Sequence, residues 1–261
     1  MFDLAQAEAL LAGTPYTGLL HFQPETGSTN SDAMEAARLG AAHGATFVAD
    51  AQIAGRGRGD HRWHSTAGEG LYVSVVLRPQ IAEKHWMLLP FCAGLAVIAA
   101  AGEAAGLQAD LRWPNDVLLA GRKVCGILVE SGRDERGERF AVAGIGINVH
   151  QRMFAPDLAT PATSLDLAAG RTVERELLFV CLLKFLQQEV DCLARETAAP
   201  TLLARIERSS TWVRNRRVEV HGPQACSGVT AGLDEHGFLL VDTGAGRVTV
   251  QTGGVRAAEV D

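Results

Sequence analysis

The densest chemistry in this chain sits in Gly55-Arg56-Gly57-Arg58-Gly59-Asp60-His61-Arg62-Trp63. Three glycines alternate with two arginines, and a third arginine and a tryptophan follow. Glycine lets a ligand reach main-chain N–H groups with no Cβ in the way. Arginine adds a permanent charge and a planar donor fork that matches carboxylate and phosphate. A loop offering both suits an anion; a solvated basic loop is the plainer alternative. A dinucleotide fingerprint does not fit, because Asp60 stands where the third glycine of G-x-G-x-x-G belongs.

Four further segments carry usable groups. Gly27-Ser28-Thr29-Asn30 puts small polar side chains at a helix entrance, where N–H donors and the dipole face outward; a plain N-cap looks the same. Arg112-Trp113-Pro114-Asn115-Asp116 sets two short polar side chains on a rigid proline, as an ordinary turn also does. In Gly121 to Glu130, Lys123 opens an otherwise apolar strand, which alone also reads as protection of an edge strand. Gly144-Ile145-Gly146-Ile147-Asn148-Val149 has glycines inside a strand, a mark of close approach by a ligand or another backbone.

The elements that must position these groups follow from periodicity and punctuation. Residues 1–20 hold a short helix and a first strand. Ser28 to Asp32 signals a helix start, Ala33, Met34, Ala36, Ala37 and Leu39 form its apolar face, and Gly44 marks a stop. Residues 46–52 form a strand that delivers the chain into the Gly/Arg loop, and 71–77 form another. Pro90 belongs in the first turn of a helix reaching about Ala105. Short strands at 111–113 and 117–119 precede a tight turn at Ala120-Gly121-Arg122. Strands 123–131 and 140–149 pair across 132–138. Helices follow at 177–194 and 201–208. From Trp212 onward, short strands at 217–221, 226–233, 238–242 and 247–251 read as a small antiparallel barrel. The order implies an α+β domain followed by a β module.

Composition bounds the function. The chain has 261 residues, 47% hydrophobic, and a formal charge of −6, so it is no general nucleic-acid binder. A basic loop on an acidic background fits a small anionic substrate. Cys92, Cys125, Cys181, Cys192 and Cys226 are scattered, as expected of reduced thiols in a cytoplasmic protein rather than disulfides or a zinc site. His61 and His64 lack carboxylate or cysteine company, so neither is read as a metal ligand. Arg205, Arg208, Arg214, Arg216 and Arg217 read as a solvated inter-domain face or helix-end charge. The N-terminus has no basic region of a signal peptide, and the apolar run 88–101 falls short of the ~20 residues of a membrane span.

Taken together, in this order and spacing, the five motifs resemble biotin–protein ligases (biotin–[biotin carboxyl carrier protein] ligases). The motif resemblance runs from Gly27 to Asn148 and the layout to the C-terminus. It implies an α+β catalytic domain, residues 1–210, with a central mixed or antiparallel sheet and flanking helices, like class II synthetase-type biotin/lipoate ligases. An SH3-like β-barrel, residues 211–261, would follow. About 20 residues precede the first strand, too few for the N-terminal DNA-binding domain of some members, so the monofunctional type is expected. The implied reactions join biotin and MgATP into biotinyl-5′-AMP and pyrophosphate, then pass biotin to a lysine of a carrier domain, usually of an acyl-CoA carboxylase. No DNA or membrane partner is expected, and a monomer or homodimer is.

The resemblance also implies roles. Lys123 and Arg58 would be catalytic, bringing two mutually repelling anions together. Ser28, Thr29, Asn30, Gln52, Gly55, Arg56, Gly57, Gly126, Gly144 and Gly146 would join Arg58 and Lys123 around biotin, the glycines leaving room for its tail and ring. Arg56, Arg58, Trp63, Asn115, Asp116, Lys123 and Asn148 would hold ATP and the adenylate, with Asp116 orienting Lys123 or the acceptor lysine. Mg²⁺ needs few protein ligands, and none is named. The loop should close over the reactive anhydride. Members often carry Gly-Arg-Gly-Arg-x-Gly-Arg-x-Trp; here Gly59-Asp60-His61 replace x-Gly-Arg, which weakens the local charge for pyrophosphate. A lipoate-type ligase and a non-catalytic biotin or biotinyl-AMP sensor are the alternatives.

Overall fold

A computed structural model describes residues 1–59, 61–195 and 198–258; Asp60, and with it the expected loss of charge there, lies outside the described residues. Seven strands make the first sheet: β1 (Leu20–Thr26), β2 (Thr46–Gln52), β3 (Gly70–Leu77), β4 (Asp110–Arg112), β5 (Asp116–Leu119), β6 (Arg122–Arg133) and β7 (Arg139–Asn148). Their order is β1-β2-β3-β7-β6-β5-β4. β1 and β2 run parallel and the other pairs antiparallel. The helices are α1 (Leu4–Leu10), α2 (Thr29–Arg38), α3 (Leu89–Ala105), α4 (Leu165–Ala169), α5 (Arg175–Leu193) and α6 (Ala198–Arg208).

β3 is buried at every position because both faces are covered. Its Val73, Val75 and Leu77, with Ala141, Ala143, Ile145 and Ile147 of β7, join the main core with α3 and α5. Its Val76, with Phe140 and Val142, packs under α2 against Ala33, Met34 and Ala37. A strand covered on both faces loses its polar alternation. Gly94 lets α3 approach the sheet: an added Cβ would stand 2.6 Å from Leu111 Cδ1. α3 carries Pro90 in its first turn and ends at Gly106, whose φ of 72° supplies the left-handed cap.

Several expectations need correction. α2 starts at Thr29 and ends at Arg38, not near Gly44, because Gly40 (φ 94°) already turns the chain. A 3₁₀ turn (Glu83–Leu88) extends α3, and the joint stretch Glu83–Ala105 is 23 residues, long and apolar enough for a membrane span. Two thirds of its apolar window is nevertheless buried within this protein, so it serves as a core helix. The first strand runs over 20–26 rather than within residues 1–20, and the 3₁₀ turn, α4 and the last strand are elements the sequence did not signal.

The second sheet holds β8 (Arg214–His221), β9 (Cys226–Leu233), β10 (Leu239–Thr243), β11 (Gly246–Val250) and β12 (Gly254–Ala257), in the order β11-β10-β9-β8-β12. Every pair is antiparallel. Register shifts at Leu240/Val241 and between Arg214 and Arg217 bend it. It is seated firmly on the first sheet's layer. Val218, Val220, Leu239 and Val241 belong to the main core, and Trp113 Nε1 donates to the Gly237 carbonyl at 3.1 Å. Three of the clustered arginines are engaged locally: Arg205 with Glu189 (2.5 Å), Arg214 with Glu207 (2.7 Å), and Arg216 over the Trp212 ring (3.8 Å). All five cysteines are free thiols; Cys92, Cys125 and Cys181 are buried.

Candidate active site

A cleft of about 890 Å³ opens on the α2 face of the sheet. All the residues expected in the site border it except Gly55. Its floor is a strip of glycines set by register: Gly146 pairs with Tyr72 on one side and Gly126 on the other, and Gly144 with Ser74 and Leu128. That floor is covered by protein. The Trp63 indole lies so close that a Cβ on Gly146 would be 2.5 Å from Nε1, and one on Gly126 2.8 Å from Cζ3. A Cβ on Gly144 would meet Asn30 Oδ1 at 2.4 Å. The room expected for biotin's tail is thus occupied by Trp63 and Asn30 in this structure, and Trp63 stands on the strip.

The Gly/Arg loop is a narrow hairpin. Gly57 N–H donates to the His61 carbonyl (2.7 Å) and Trp63 N–H to the Gly55 carbonyl (2.9 Å), with Gly59 at φ 64° near the tip. A Cβ on Gly55 would be 2.5 Å from the Trp63 carbonyl oxygen. Gly55 and Gly57 therefore serve the close crossing of the loop's own strands, and the Gly57 N–H expected to face an anion is already spent.

Gln52 joins this loop to α2. Its Oε1 accepts from the Thr29 N–H (2.9 Å) and hydroxyl (3.1 Å), and its Nε2 donates to Ser65 Oγ (2.8 Å). A side chain distant in sequence thus caps a free donor at the helix start. Ser28 occupies the N-cap position without a side-chain capping bond, so a plain cap does not account for it. Asn30 donates to Glu130 Oε2 (2.5 Å) and accepts from Ser74 Oγ (3.2 Å). Glu130 also binds Arg56 through both oxygens, at 3.3 and 2.5 Å, tying the loop to the sheet.

Lys123 is the second residue of β6, an interior strand between β5 and β7, so protection of an exposed edge does not explain it. Its Nζ lies 2.6 Å from Asp116 Oδ1 and 5.4 Å from the Trp63 ring centre. Asp116 Oδ2 accepts from Arg112 Nη2 at 2.5 Å. Arg58 donates to Thr252 Oγ1 (2.9 Å), reaching across to the chain between β11 and β12. Burial pushes the Arg58 guanidinium below its usual range, while the negative charge of Asp116 works the other way. The cleft thus sets Arg112 and Lys123 on the Asp116 carboxylate with Arg58 nearby, a local excess of positive charge suited to an anion.

Asn115 and Asn148 each commit one amide N–H to main chain: Asn115 to the Ile127 carbonyl (2.7 Å), Asn148 to the Thr163 carbonyl (3.1 Å). Each retains its carbonyl oxygen and a second N–H, a pair that suits a ligand presenting both an amino group and a ring nitrogen. Sequence reasoning gave no role to Tyr72, Ser74, Arg112, Gln151, Thr160, Thr252 or Arg256, which also border the cleft. Apart from Arg112, which opens the Arg-Trp-Pro-Asn-Asp motif, nothing local in the sequence signals them. Burial pushes the Tyr72 hydroxyl well above its ordinary range, so it stays protonated. Trp63 Nε1 and Gln151 Oε1 are buried with no hydrogen-bond partner among the described residues. Among those residues no cluster of three or more His, Cys, Asp or Glu could hold a metal, and Asp116 is already shared by two cations.

The profile of the Biotin/lipoate A/B protein ligase family matches residues 22–148. The chain is 35% identical over 237 residues to the biotin–[acetyl-CoA-carboxylase] ligase of Paracoccus denitrificans, covering 86% of this chain and 95% of that protein. The chain belongs to the biotin/lipoate A/B protein ligase family. A bifunctional ligase/repressor of Bacillus subtilis is 37% identical over 222 residues, 84% of this chain and 68% of that protein. The solved biotin protein ligase of Aquifex aeolicus in complex with biotin and ATP is 29% identical. It covers 92% of this chain and 98% of its own length with a TM-score of 0.78.

Proposed function

We propose that this chain is a biotin–protein ligase that activates biotin with ATP and passes it to a lysine of a biotin carboxyl carrier domain. The observation that carries the reading is Lys123. Its ammonium is half-buried in a cleft with Arg58 and held by a single carboxylate oxygen. Family relatives named for acetyl-CoA carboxylase support that enzyme's carrier as the acceptor. Five free thiols support a cytoplasmic setting, and the change of texture from Trp212 onward supports a catalytic domain, residues 1–210, followed by a small β domain, residues 211–261.

In the first step a biotin carboxylate oxygen attacks the α-phosphorus of MgATP. The bond from that phosphorus to the β-phosphate bridging oxygen breaks, and pyrophosphate leaves with the electron pair. Both reactants are negative, so cations must spread the charge that develops. Lys123 suits that task because a mobile ammonium can follow oxygens whose positions change. Arg58 adds a charge that never deprotonates. Mg²⁺ supplies further charge neutralisation with the nucleotide. In the second step the acceptor lysine's neutral amine attacks the acyl carbon, the bond from that carbon to the phosphate oxygen breaks, AMP leaves with the electron pair, and the nitrogen's surplus proton passes to the departing phosphate or to water. Ser28, Thr29 and Gln52 suit the ureido end of biotin, since an unmet buried polar group costs about 1–3 kcal/mol. The carbonyl oxygens of Asn115 and Asn148 suit the adenine amino group.

Pyrophosphate exchange into ATP tests the reading. Exchange should require biotin, should not occur with lipoate, and should fall by about 10²–10³-fold in Lys123→Ala with the fold intact. Exchange with lipoate alone, or full activity of that variant, refutes it.

A further inference from the structure

Arg112 falls in a recognised motif yet has no role in the scheme above. Its side chain is among the most buried charges of the described residues, at 8% exposure. Its Nη2 donates to Asp116 Oδ2 (2.5 Å) and to Thr160 Oγ1 (2.9 Å). Its guanidinium carbon lies 5.3 Å from the ring centre of Trp212. Trp212 is itself buried, and its N–H main-chain group is anchored to Ser210 Oγ at 3.1 Å. A planar cation held by a carboxylate, a hydroxyl and an aromatic face has little freedom left.

The consequence falls on Lys123. Arg112 and Lys123 divide one carboxylate, with Oδ2 facing the guanidinium and Oδ1 facing the ammonium at 2.6 Å. Without Arg112, Asp116 would be a poorly solvated anion with both oxygens free to draw on Lys123, and the lysine would be harder to release. With Arg112 in place, Asp116 keeps a permanent counter-charge when the ammonium turns toward the substrate anions. We infer that Arg112 is a positioning residue of the adenylation centre, holding Asp116 so that Lys123 is aimed but not captured. The inference rests on the ligase reading, which it deepens, and it ties the turn between α6 and β8 to the chemistry through Trp212.

The test is biotin-dependent pyrophosphate exchange by the unaltered protein, Arg112→Ala and Thr160→Val, each with a melting curve. Arg112→Ala is expected to lose about 10²-fold in kcat, the scale of a misplaced catalytic group, with the KM for biotin nearly unchanged. The space it leaves is bounded by a carboxylate, a hydroxyl and an indole, so millimolar guanidinium should restore part of kcat and methylammonium should not. Unchanged kcat, or a loss that guanidinium does not relieve, overturns the inference. Should Arg112→Ala fail to fold, Thr160→Val decides: it removes one anchor and no charge, and a partial kcat loss is expected at unchanged KM. Full kcat in that variant overturns the inference. Absence of exchange in the unaltered protein rejects the ligase reading and the inference together; exchange there with normal kcat in the variants rejects the inference alone.

Discussion

Gly146→Ala is expected to drive Trp63 up into the cleft and weaken biotin binding. The backbone tolerates the change, because Gly146 lies in a regular strand without a positive φ. The added Cβ would stand 2.5 Å from Trp63 Nε1, 2.6 Å from Cε2 and 3.0 Å from Cδ1. Ordinary heavy-atom contact is about 3.5–4.0 Å, so the indole must rise by about 1 Å. Sliding toward Gly126 offers no relief, since the same ring already covers that residue. The open direction is the cleft. Overpacking of this kind costs about 1–3 kcal/mol. The cost here should lie at the low end, because the unpartnered indole N–H regains solvent as it lifts. Biotin titration by calorimetry in the unaltered protein, Gly146→Ala, Trp63→Ala and the double variant forms a closed cycle. Gly146→Ala should weaken binding clearly in the presence of Trp63 and little in its absence, a coupling of at least about 0.5 kcal/mol. Unchanged affinity in the single variant, or additivity of the two changes, would refute the steric argument.

Three further outcomes are expected. Arg175→Met leaves Asp50 buried beside an absent partner that sat 2.9 Å away. Urea unfolding should show a loss of about 3–5 kcal/mol, and a loss under 1 kcal/mol would count against a buried pair. Glu130→Gln removes the anion that holds Arg56. Both side chains are part-exposed, so the latch is worth at most about 1 kcal/mol and trypsin cleavage after Arg56 or Arg58 should rise by up to about fivefold. High salt should bring the unaltered protein toward the same rate, and cleavage indifferent to both changes would sink the idea. Cys92 and Cys125 are buried, and burial pushes both thiols well above their ordinary range. Thiol reagent at pH 8 should therefore modify Cys192 and Cys226 first, leaving Cys92 and Cys125 silent until the protein unfolds; uniform labelling of all five would contradict the packing.

Local structure was legible where the cause is local. Strand 46–52, strand 226–233, the helix ending at Ala105 and the turn at Ala120-Gly121 are all present with those bounds or nearly so. Each depends on neighbouring residues: short runs bounded by glycine, proline or aspartate, a proline in a first helical turn, a glycine that reaches positive φ. The family was legible too, because its motifs are runs of residue identities. β12 and α4 were not, since four or five residues of mixed polarity carry little periodic signal.

The site divides the same way. Sequence alone marked Lys123, Arg58, Asp116 and the glycines as chemically suited, and named the reaction class they resemble. It did not reveal that Gly55 serves a hairpin crossing, that Trp63 lies on Gly126 and Gly146, or that Glu130 binds both Asn30 and Arg56. Those depend on strand register, which sets a residue's neighbour across a sheet dozens of positions away. Arg112 shows the difference most plainly. Its charge is written in the chain, but its burial beside Asp116 of the same hairpin, Thr160 and Trp212 exists only after three segments pack together, because contact, unlike composition, is a property of the folded arrangement.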